Sequence, residues 1–367
     1  MAIKVIISGG GTGGHIFPAI SIANAIRALK PDADILFVGA EGKMEMEKVP
    51  AAGYRIEGLP VAGFQRRLTF KNVTFFYKLV ASLLKARKII RQFKPDVVVG
   101  VGGYASGPLL RQATSADIPS LIQEQNSFPG VTNRILSGKV DKICVAYAGM
   151  ERFFPASKIV FTGNPVRQDL LKPVDREEAA RFFGLEASKP VILVIGGSLG
   201  ARSINNGIAE ALGDLKPDVQ LIWQTGKLYH AEMLERVKAL ALPNLRVFDF
   251  IQRMDLAFGL ADVVISRAGA SSISELAVLG KAAIFVPSPN VSEDHQTKNA
   301  QAMVGEEAAL MVPDAQASSL IAVAQDLLQE SGKAGMLAQR IRDFARPDAA
   351  RDIALEVLQL IEQHDSY

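Results

Sequence analysis

Short apolar runs, glycine turns and longer amphipathic stretches alternate along the first half of the chain. The run Lys4–Ser8 is rich in β-branched residues and leads into the glycines of residues 9–14. A helix is then expected to open near Pro18, because proline suits a first helical turn. Further strands are predicted at residues 35–38, 97–101, 119–123 and 142–146. Strands that alternate with helices predict a parallel sheet covered on both faces.

The same pattern restarts after a turn-rich segment at residues 162–167. An apolar run at Val191–Ile195 precedes another glycine loop, and later strands are predicted at residues 220–223, 245–248, 263–266 and 283–286. The sequence therefore predicts an α/β protein of two Rossmann-like domains, each a doubly wound parallel sheet, facing across a cleft. We expect the first domain at residues 1–163 and the second at 164–349. A last helix, about 350–367, should pack back on the first domain.

Composition narrows the class of protein. The 367 residues exceed one ordinary core, and the net charge of +3 is too small to indicate nucleic acid. The single cysteine, Cys144, lies in an apolar run and is expected in the core, and one thiol cannot form an internal disulfide. No signal-peptide pattern opens the sequence, and no uncharged apolar run reaches the roughly 18 residues that span a bilayer. Without an export signal, a two-lobed sugar-binding protein is disfavoured.

The first glycine loop invites a second enzymatic hypothesis. Residues 9–15 contain a G-x-G-x-x-G pattern between a strand and a helix. Glycines there let main-chain N–H groups approach a phosphate at a helix start. A nicotinamide-dependent oxidoreductase is therefore the alternative, although Glu41, its only acidic candidate for a ribose, comes late after the second strand. The structural alternative is that the glycines serve only a tight turn and close packing.

A second helix start distinguishes the hypotheses better. Residues 266–276 form a strand end, a loop of small residues and the beginning of a helix. Free N–H groups and the positive end of a helix dipole suit a pyrophosphate, and Glu275 can reach ribose hydroxyls just beyond it. Ser272 and Glu275 also have the spacing of a capping box. The small residues favour a ligand, because larger side chains would block a phosphate.

A series of motifs closely resembles the MurG family, the peptidoglycan N-acetylglucosaminyltransferases. The motifs follow one another along almost the whole chain, at residues 10–18, 102–108, 124–126, 163–167, 196–202, 267–275 and 295–300. The resemblance implies the GT-B fold and an inverting transfer of N-acetylglucosamine from UDP-GlcNAc. The implied acceptor is the 4-hydroxyl of MurNAc in undecaprenyl-pyrophosphoryl-MurNAc-pentapeptide, which converts lipid I to lipid II. A related transferase with another lipid acceptor is the alternative.

The resemblance also implies the residues that contact the donor. Main-chain groups of Ile251 would contact the uracil, and Glu275 the ribose. The pyrophosphate would be held by Arg167, Ser198, Ala270, Ser271, Ser272, Ile273 and Ser274. The sugar would contact Asn126 and Gln296, with Thr12, Gly13 and Gly14 closing from the first domain. Gln123 stands where the family often has histidine, so a role for an ionisable group there does not transfer to this chain.

Candidates for the general base are few. His15 lies at the first glycine loop, and a histidine's usual pKa of about 6.5 suits proton transfer at neutral pH. The structural alternative is a helix-start residue that bonds to the backbone, and Glu124 is the rival base or a residue that orients the sugar. Two groups would stabilise the leaving diphosphate, namely Arg167 and the helix start that precedes Glu275. The pair Asp32 and Asp34 is interpreted as a surface turn, and we expect a metal-independent site without a cofactor.

A basic segment predicts contact with a membrane. Residues 66–94 carry nine Lys or Arg side chains and no Asp or Glu. The part from Asn72 is predicted to be helical, with an apolar core stripe at residues 76, 79, 80, 83, 90 and 93. Phe75, Tyr77 and Lys78 lie off this stripe and are predicted to contact an anionic membrane surface. Tyr104 and Ser106 complete the predicted acceptor contacts.

Two alternatives for this segment follow from the same residues. A solvated basic face is one, and nucleic acid is disfavoured because no recognition motif accompanies the charge. The expected location is peripheral, at the cytoplasmic face of the bacterial inner membrane.

Overall fold

The computed structural model describes residues 2–61, 71–197, 199–291 and 294–365, and the side chains within these ranges except those of 71–76 and 365. Contacts along the chain divide it into two compact units. The first comprises Met1–Val166 and Arg346–Tyr367, and the second comprises Arg167–Ala345. The predicted divisions, after residues 163 and 349, lie a few residues away. Within the described ranges, no helix combines the length and apolar character needed to cross a bilayer.

The described strands of the first unit form one parallel sheet. Its elements are β1 (Lys4–Ser8), α1 (Gly13–Leu29), β2 (Asp34–Ala40), α2 (Glu45–Ala51), β3 (Arg55–Leu59), α3 (Lys71–Phe93), β4 (Val97–Gly100), α4 (Ser106–Thr114), β5 (Ser120–Glu124), α5 (Val131–Leu136), β6 (Lys142–Val145), β7 (Ile159–Phe161) and, after the second unit, α14 (Ala349–Asp365). The strand order is β3-β2-β1-β4-β5-β6-β7. The order reverses between β1 and β4, so the loops after these two strands flank the position where such sheets bind ligands.

The last helix of the chain belongs to the core of the first unit. Ile353, Ala354 and Val357 on α14 are fully buried and pack with Ile22 and Ile26 of α1. This burial follows from an apolar face at helical spacing, which needs a partner surface. Cys144, on β6, lies in the same core as predicted, and its burial raises the pKa of the thiol.

The described strands of the second unit also form a parallel sheet. Its elements are α6 (Arg176–Phe183), β8 (Val191–Ile195), α7 (Arg202–Ala211), β9 (Gln220–Gln224), α8 (His230–Val237), β10 (Leu245–Phe248), α9 (Met254–Leu260), β11 (Val263–Ser266), α10 (Ala270–Leu279), β12 (Ala282–Phe285), α11 (His295–Gly305), β13 (Leu310–Met311), α12 (Leu320–Gln329) and α13 (Lys333–Arg342). The order β10-β9-β8-β11-β12-β13 places its reversal between β8 and β11. The predicted α/β class with two doubly wound parallel sheets is confirmed.

Several local predictions were wrong. Helix α1 begins at Gly13, so Pro18 lies inside it rather than at its first turn. The tertiary reason is that Ile16 and Ala19, on either side of Pro18, are both fully buried, which fixes the helix across the proline. The strands β3, β7 and β13 were not predicted. All three lie at sheet edges; β7 and β13 have only three and two residues, and β3 has a mixed polar and apolar sequence.

The apolar stripe of α3 is only partly core. Ile90 is buried as predicted, whereas Val80 is 55% exposed. The pattern alone did not show that Val80 lies on a part of this face that is left largely uncovered. The Asp32–Asp34 pair was interpreted as a turn, and residues 31 and 32 do form one. Asp34 itself begins β2, and its Oδ1 accepts a hydrogen bond from Arg55 Nη2 at 2.5 Å.

Candidate functional site

In the second unit, two loops meet at the reversal of the strand order. One follows β8 at residues 196–201, and the other follows β11 at residues 267–269. They border a cavity of about 660 Å³ at the carboxyl ends of the strands, lined in part by Gly196, Gly197, Gly200, Arg202, Arg267, Ser288 and Gln296. Open parallel sheets bind ligands at this position. Ser198, a predicted pyrophosphate contact, lies outside the described residues.

Helix α10 starts without a side-chain cap. Its N-cap is Gly269, which has no side chain to accept a hydrogen bond. Ser272 is the third residue of the helix and Glu275 the sixth, so neither stands where a capping box needs it. The structure therefore excludes the capping alternative. The N–H groups of the first turn have no acidic side chain near them in the helix itself, which leaves the positive end of the dipole exposed to an anion.

Glu275 is paired with Arg167 within this unit. Glu275 Oε1 lies 3.3 Å from Arg167 Nε, and the glutamate side chain is only 19% exposed. Burial raises the pKa of Glu275 to about 7, while the Arg167 charge opposes this shift and Asp169 adds to it. The sequence placed both residues at one site, and the structure brings them into contact. A carboxyl that titrates near neutral pH in a polar site is typical of a ligand-binding group.

The small residues at the start of α10 differ in whether their side chains are already hydrogen-bonded or buried. The Ser271 hydroxyl oxygen is buried, and none of the described residues provides it with a hydrogen-bond partner. The Ser274 hydroxyl instead donates to the carbonyl of Ala270 at 3.0 Å, and the Ile273 side chain is buried in the core. Of the predicted pyrophosphate contacts, Ser271 thus has a hydroxyl available, whereas Ile273 can contribute only its main chain.

The predicted uracil contact is held by a residue that the sequence analysis missed. Gln224, at the end of β9, accepts a hydrogen bond from the Ile251 N–H at 2.8 Å and donates another to the Gly197 carbonyl at 3.1 Å. Because the Ile251 N–H is engaged, its carbonyl is the main-chain group that can meet a base. Gln224 also ties the loop at Ile251 to the second glycine loop.

Two further side chains shape the cavity. Gln296 Oε1 accepts the Ser288 N–H at 2.9 Å, which fixes this predicted sugar contact at the start of α11. Arg267 contacts Asp314, donates to the Val286 carbonyl at 3.0 Å and donates to the Ser203 hydroxyl at 2.8 Å. Arg267 therefore links three parts of the unit, and this structural role was not predicted from the sequence.

The first unit has its own glycine loop at the reversal of its strand order, but a protein carboxylate occupies it. Glu45 is fully buried at the start of α2. Its Oε2 accepts the Gly11 N–H at 3.0 Å, and its Oε1 accepts the Ala40 N–H at 2.9 Å. A Cβ at Gly10 would lie 2.1 Å from Glu45 Oε1. The carboxylate therefore takes part of the space and one of the N–H donors that a dinucleotide phosphate would need.

His15 lies on the first turn of α1 beside this loop. Its Nδ1 is 3.1 Å from the Gly10 carbonyl oxygen and 3.4 Å from Thr12 Oγ1. The backbone contact foreseen as the alternative to a base is thus present. This contact also orients the imidazole ring, so a hydrogen bond to the backbone is compatible with a role of His15 as the base. Thr12 is the N-cap of α1, and its side chain makes no capping bond to the helix. The other predicted contacts, Gly13 and Gly14, are the first two residues of the helix.

Glu124 is almost fully buried and accepts four hydrogen bonds from described residues. One carboxylate oxygen accepts from the Asn126 N–H and from Asn126 Nδ2, at 3.0 and 3.1 Å. The other accepts from the Gly130 N–H and from Asn133 Nδ2, at 3.1 and 2.8 Å. An ionised carboxylate offers about four acceptor sites, and all are used. This geometry favours Glu124 as the residue that holds Asn126 in place, not as a base.

Beside Glu124 lies a buried cluster of uncharged amides. Gln123 Nε2 donates to Asn164 Oδ1 at 2.9 Å, and Asn164 Nδ2 donates to the Gln125 carbonyl at 3.0 Å. Gln125 Nε2 in turn donates to the Val101 carbonyl at 2.8 Å. Gln123 therefore fills its position with neutral hydrogen bonds, and no ionisable side chain stands there.

The remaining predicted contacts of the first unit have different surroundings. Tyr104, in the loop after β4, is 54% exposed and available to a ligand. Ser106 is fully buried, and its hydroxyl lies 2.9 Å from the Gly102 carbonyl oxygen and 3.0 Å from that of Ser8. The Ser106 hydroxyl therefore joins the end of β1 to the loop after β4, and its contact with the acceptor stays a prediction.

Helix α3 exposes an apolar row with basic neighbours. Tyr77, Val80 and Leu84 are 76%, 55% and 63% exposed and share one face at helical spacing. Lys78 and Lys88 on the same helix are also exposed. The side chain of Phe75, the third residue of the predicted membrane contact, lies outside the described part. Among the described residues, no three His, Cys, Asp or Glu side chains stand together as metal ligands do.

Comparison with protein families defines the class. Residues 5–145 match the model of the glycosyltransferase family 28 N-terminal domain, and residues 191–353 match that of its C-terminal domain. The two matches include most of both sheets, both glycine loops and the start of α10, whereas β7 and Arg167 lie between them. The chain is therefore a family 28 glycosyltransferase, which excludes the oxidoreductase hypothesis.

Individual relatives narrow this further. A Bacteroides fragilis protein named UDP-N-acetylglucosamine–N-acetylmuramyl-(pentapeptide) pyrophosphoryl-undecaprenol N-acetylglucosamine transferase is 59% identical, over 99% of this chain and 97% of its own length. A Flavobacterium psychrophilum protein of the same name is 52% identical, over 99% of both chains. The crystal structure of Acinetobacter baumannii MurG superposes with a TM-score of 0.80 at 29% identity, covering 97% of this chain and 99% of that one. The chain belongs to the MurG family.

Three residues of the site were not found from the sequence. Gln224 is a polar residue at the carboxyl end of a fully buried strand, and that position was a usable signal. Arg267 directly follows β11 and carried the same signal. Glu45 had none, because its contact with Gly11 spans 34 residues and depends on how α2 packs against the first loop.

Proposed function

We propose that this chain is an inverting glycosyltransferase that moves N-acetylglucosamine from UDP-GlcNAc to the 4-hydroxyl of MurNAc in undecaprenyl-pyrophosphoryl-MurNAc-pentapeptide. The observation that carries the proposal is the uncapped start of α10 at Gly269, with Glu275 and Arg167 paired beside it. Relatives named for this reaction match the chain over nearly its full length, which supports the same two substrates.

The second unit binds the donor in this proposal. The diphosphate accepts hydrogen bonds from the first-turn N–H groups of α10 and from the Ser271 hydroxyl, where the helix dipole favours negative charge. Arg167 contacts the same diphosphate, and Glu275 accepts hydrogen bonds from the ribose hydroxyls. The Ile251 carbonyl accepts from the uracil N3–H, and Gln296 orients the sugar.

The first unit supplies the base. The acceptor oxygen attacks the anomeric carbon and forms the new C–O bond, while the bond from that carbon to the diphosphate oxygen breaks and its electron pair leaves with UDP. The hydroxyl proton passes to Nε2 of His15. Arg167 and the α10 start stabilise the charge that develops on the diphosphate, so we propose that no metal or cofactor is required. Asn126, held by Glu124, contacts the sugar.

The location is part of the proposal. Helix α3 presents Tyr77, Val80 and Leu84 beside exposed lysines, a combination that suits an interface with anionic lipid. We propose a peripheral enzyme at the cytoplasmic face of the inner membrane, where its lipid-linked acceptor is accessible.

Turnover tests the reaction directly. The protein should transfer N-acetylglucosamine from UDP-GlcNAc to a MurNAc-diphospholipid, with release of UDP, and should not use diacylglycerol. Absence of transfer to the diphospholipid, or equal transfer to diacylglycerol, would contradict the proposed acceptor.

Vesicle binding tests the surface. Replacing Tyr77, Val80 and Leu84 together by serine should reduce sedimentation with anionic vesicles while UDP-GlcNAc affinity is unchanged. Leu355→Ser, at an exposed apolar position on α14 of the same unit, is the matched control. Equal loss with the control, or no loss with the triple variant, would place the membrane contact elsewhere.

A further inference from the structure

One peptide group in the first glycine loop carries hydrogen bonds at both of its ends. The N–H of Gly11 donates to Glu45 Oε2 at 3.0 Å. The carbonyl of Gly10, which belongs to the same peptide group, lies 3.1 Å from His15 Nδ1. A buried carboxylate and a histidine ring are therefore joined by a single planar peptide unit.

The contact with the carbonyl decides which ring nitrogen bears the hydrogen. A carbonyl oxygen can only accept, so Nδ1 of His15 must donate to Gly10. In the neutral ring the lone pair then belongs to Nε2. The second neighbour of Nδ1, Thr12 Oγ1 at 3.4 Å, can accept weakly from the same N–H. This arrangement prepares Nε2, and not Nδ1, to take a proton.

The surrounding glycines keep this peptide group in place. A Cβ at Gly103 would lie 2.3 Å from the Gly10 carbonyl oxygen, and a Cβ at Gly102 would lie 2.8 Å from the His15 ring. Both residues have positive φ angles, of +89° and +98°. Only glycine at these positions allows the loop after β4 to pack directly on the peptide and the ring.

Glu45 is itself fixed from two sides. It is fully buried, and besides the Gly11 N–H it accepts the Ala40 N–H at 2.9 Å. Each of its two oxygens accepts from a main-chain N–H, whereas an amide side chain would offer only one acceptor oxygen. In a site of low dielectric, a negative charge at one end of a peptide group strengthens the hydrogen bond that its carbonyl accepts at the other end.

We propose that Glu45 is a positioning residue for the transfer reaction and acts on His15 through the Gly10–Gly11 peptide group. The carboxylate stabilises the Nδ1–H tautomer and the positive ring that forms when Nε2 takes the acceptor proton. A buried carboxylate that contacts a catalytic histidine directly has the same effect. No proton crosses the peptide group. The inference rests on the proposed role of His15 as the base.

Kinetics of two matched variants form the first test. In Glu45→Gln the side chain keeps one acceptor oxygen but turns an NH₂ group towards a main-chain N–H, so the peptide group must move. We expect kcat to fall about tenfold or more, with the KM for UDP-GlcNAc unchanged. Glu47→Gln is the control, because Glu47 lies on the same helix with its side chain 81% exposed. Equal rates for both variants would overturn the proposal.

Nitrogen NMR of the imidazole rings supplies a readout that a purely structural role would not move. The chain has four histidines, and the His15 signals are those missing from His15→Gln. In the unaltered protein, neutral His15 should show hydrogen on Nδ1, and in Glu45→Gln the signals should shift towards hydrogen on Nε2. An Nε2–H ring in the unaltered protein would overturn the proposal, even if Glu45→Gln failed to fold.

The two readouts also separate this inference from the function on which it rests. If His15→Gln kept full turnover, the assignment of His15 as the base would fail, and the positioning role of Glu45 with it. If His15→Gln were inactive while Glu45→Gln retained full activity and the same His15 tautomer, only the positioning role of Glu45 would fail.

Discussion

Both units place loops at the reversal of the strand order in their sheets, but the loop after β1 and the helix start after β11 differ in what they leave open. In the first unit, Glu45 occupies the loop and accepts the Gly11 N–H. In the second, the start of α10 has a glycine N-cap and no acidic residue in its first turn, and the nearby carboxylate of Glu275 is paired with Arg167. One loop is therefore neutralised from inside the protein, and the other is open to an anionic ligand.

This difference shows why a glycine pattern alone does not define a nucleotide site. The G-x-G-x-x-G pattern belongs to the first unit, yet the donor site proposed here lies in the second, which lacks it. A helix start binds an anion when its N–H groups face outwards without an internal acceptor. Four variants or conditions test this comparison.

Removal of the proposed base should have the largest effect. In His15→Ala, kcat should fall by about 10²–10⁴-fold, because a positioned proton acceptor contributes about that factor. The affinity for UDP-GlcNAc, measured by calorimetry, should be unchanged, because His15 itself makes no contact with the donor in the proposed mechanism. A large loss of donor affinity instead would mean that the first glycine loop also binds the nucleotide.

A carboxylate added at the start of α10 should make this helix start resemble the first glycine loop, where Glu45 already accepts a main-chain N–H. Gly269→Asp is accommodated, since a Cβ there meets its nearest neighbour only at 3.8 Å. The new carboxylate should cap α10 and repel the diphosphate, weakening UDP-GlcNAc binding by roughly 100-fold while raising the melting temperature. Gly269→Ala is the control and should bind normally. Unimpaired binding by the aspartate variant would place the diphosphate away from this helix.

Loss of the ribose contact should have a smaller effect. Glu275→Ala should weaken UDP-GlcNAc binding by about 10- to 100-fold, the range expected for hydrogen bonds to a charged group. Glu177→Ala, at an exposed position on α6 of the same unit, controls for loss of charge. If calorimetry gave the two variants equal affinity, Glu275 would not contact the donor.

A change of pH should have the smallest effect. Burial raises the pKa of Glu275 to about 7, so the carboxyl is mainly protonated at pH 6 and mainly ionised at pH 8. The ionised form accepts two ribose hydroxyls and the protonated form loses an acceptor, so affinity should fall about tenfold from pH 8 to pH 6. Glu275→Gln should remove this dependence. A pH-independent affinity in the unaltered protein would show that the carboxyl does not titrate in this range.

Much of the fold followed from the sequence because buried parallel strands are short, apolar and β-branched. Strands β1, β8, β10 and β11 have the predicted bounds. The start of α1 was misplaced because a local proline preference yielded to tertiary packing of the residues around it. Val80 was assigned to the core because periodicity shows which residues share a face of a helix, but not how much of that face is covered.

The candidate site was predictable where residues adjacent in sequence act together. The start of α10 and Glu275 are such a case, and helical geometry places them within two turns of each other. The roles of Ser106 and Glu124 depend on their hydrogen-bond partners, which the sequence does not show. A hydroxyl or carboxylate with all its partners inside the protein supports a loop, and its residue type does not reveal this.

The sequence by itself determined two doubly wound sheets, the glycine loops at their strand ends and the family to which the chain is similar, since these depend on local patterns of apolar and small residues. Only the tertiary structure decided which loop is open to an anion, which carboxylates are already satisfied and which nitrogen of His15 carries a hydrogen. These features arise from single hydrogen bonds between residues up to tens of positions apart, and their energies depend on burial and distance that no local pattern encodes.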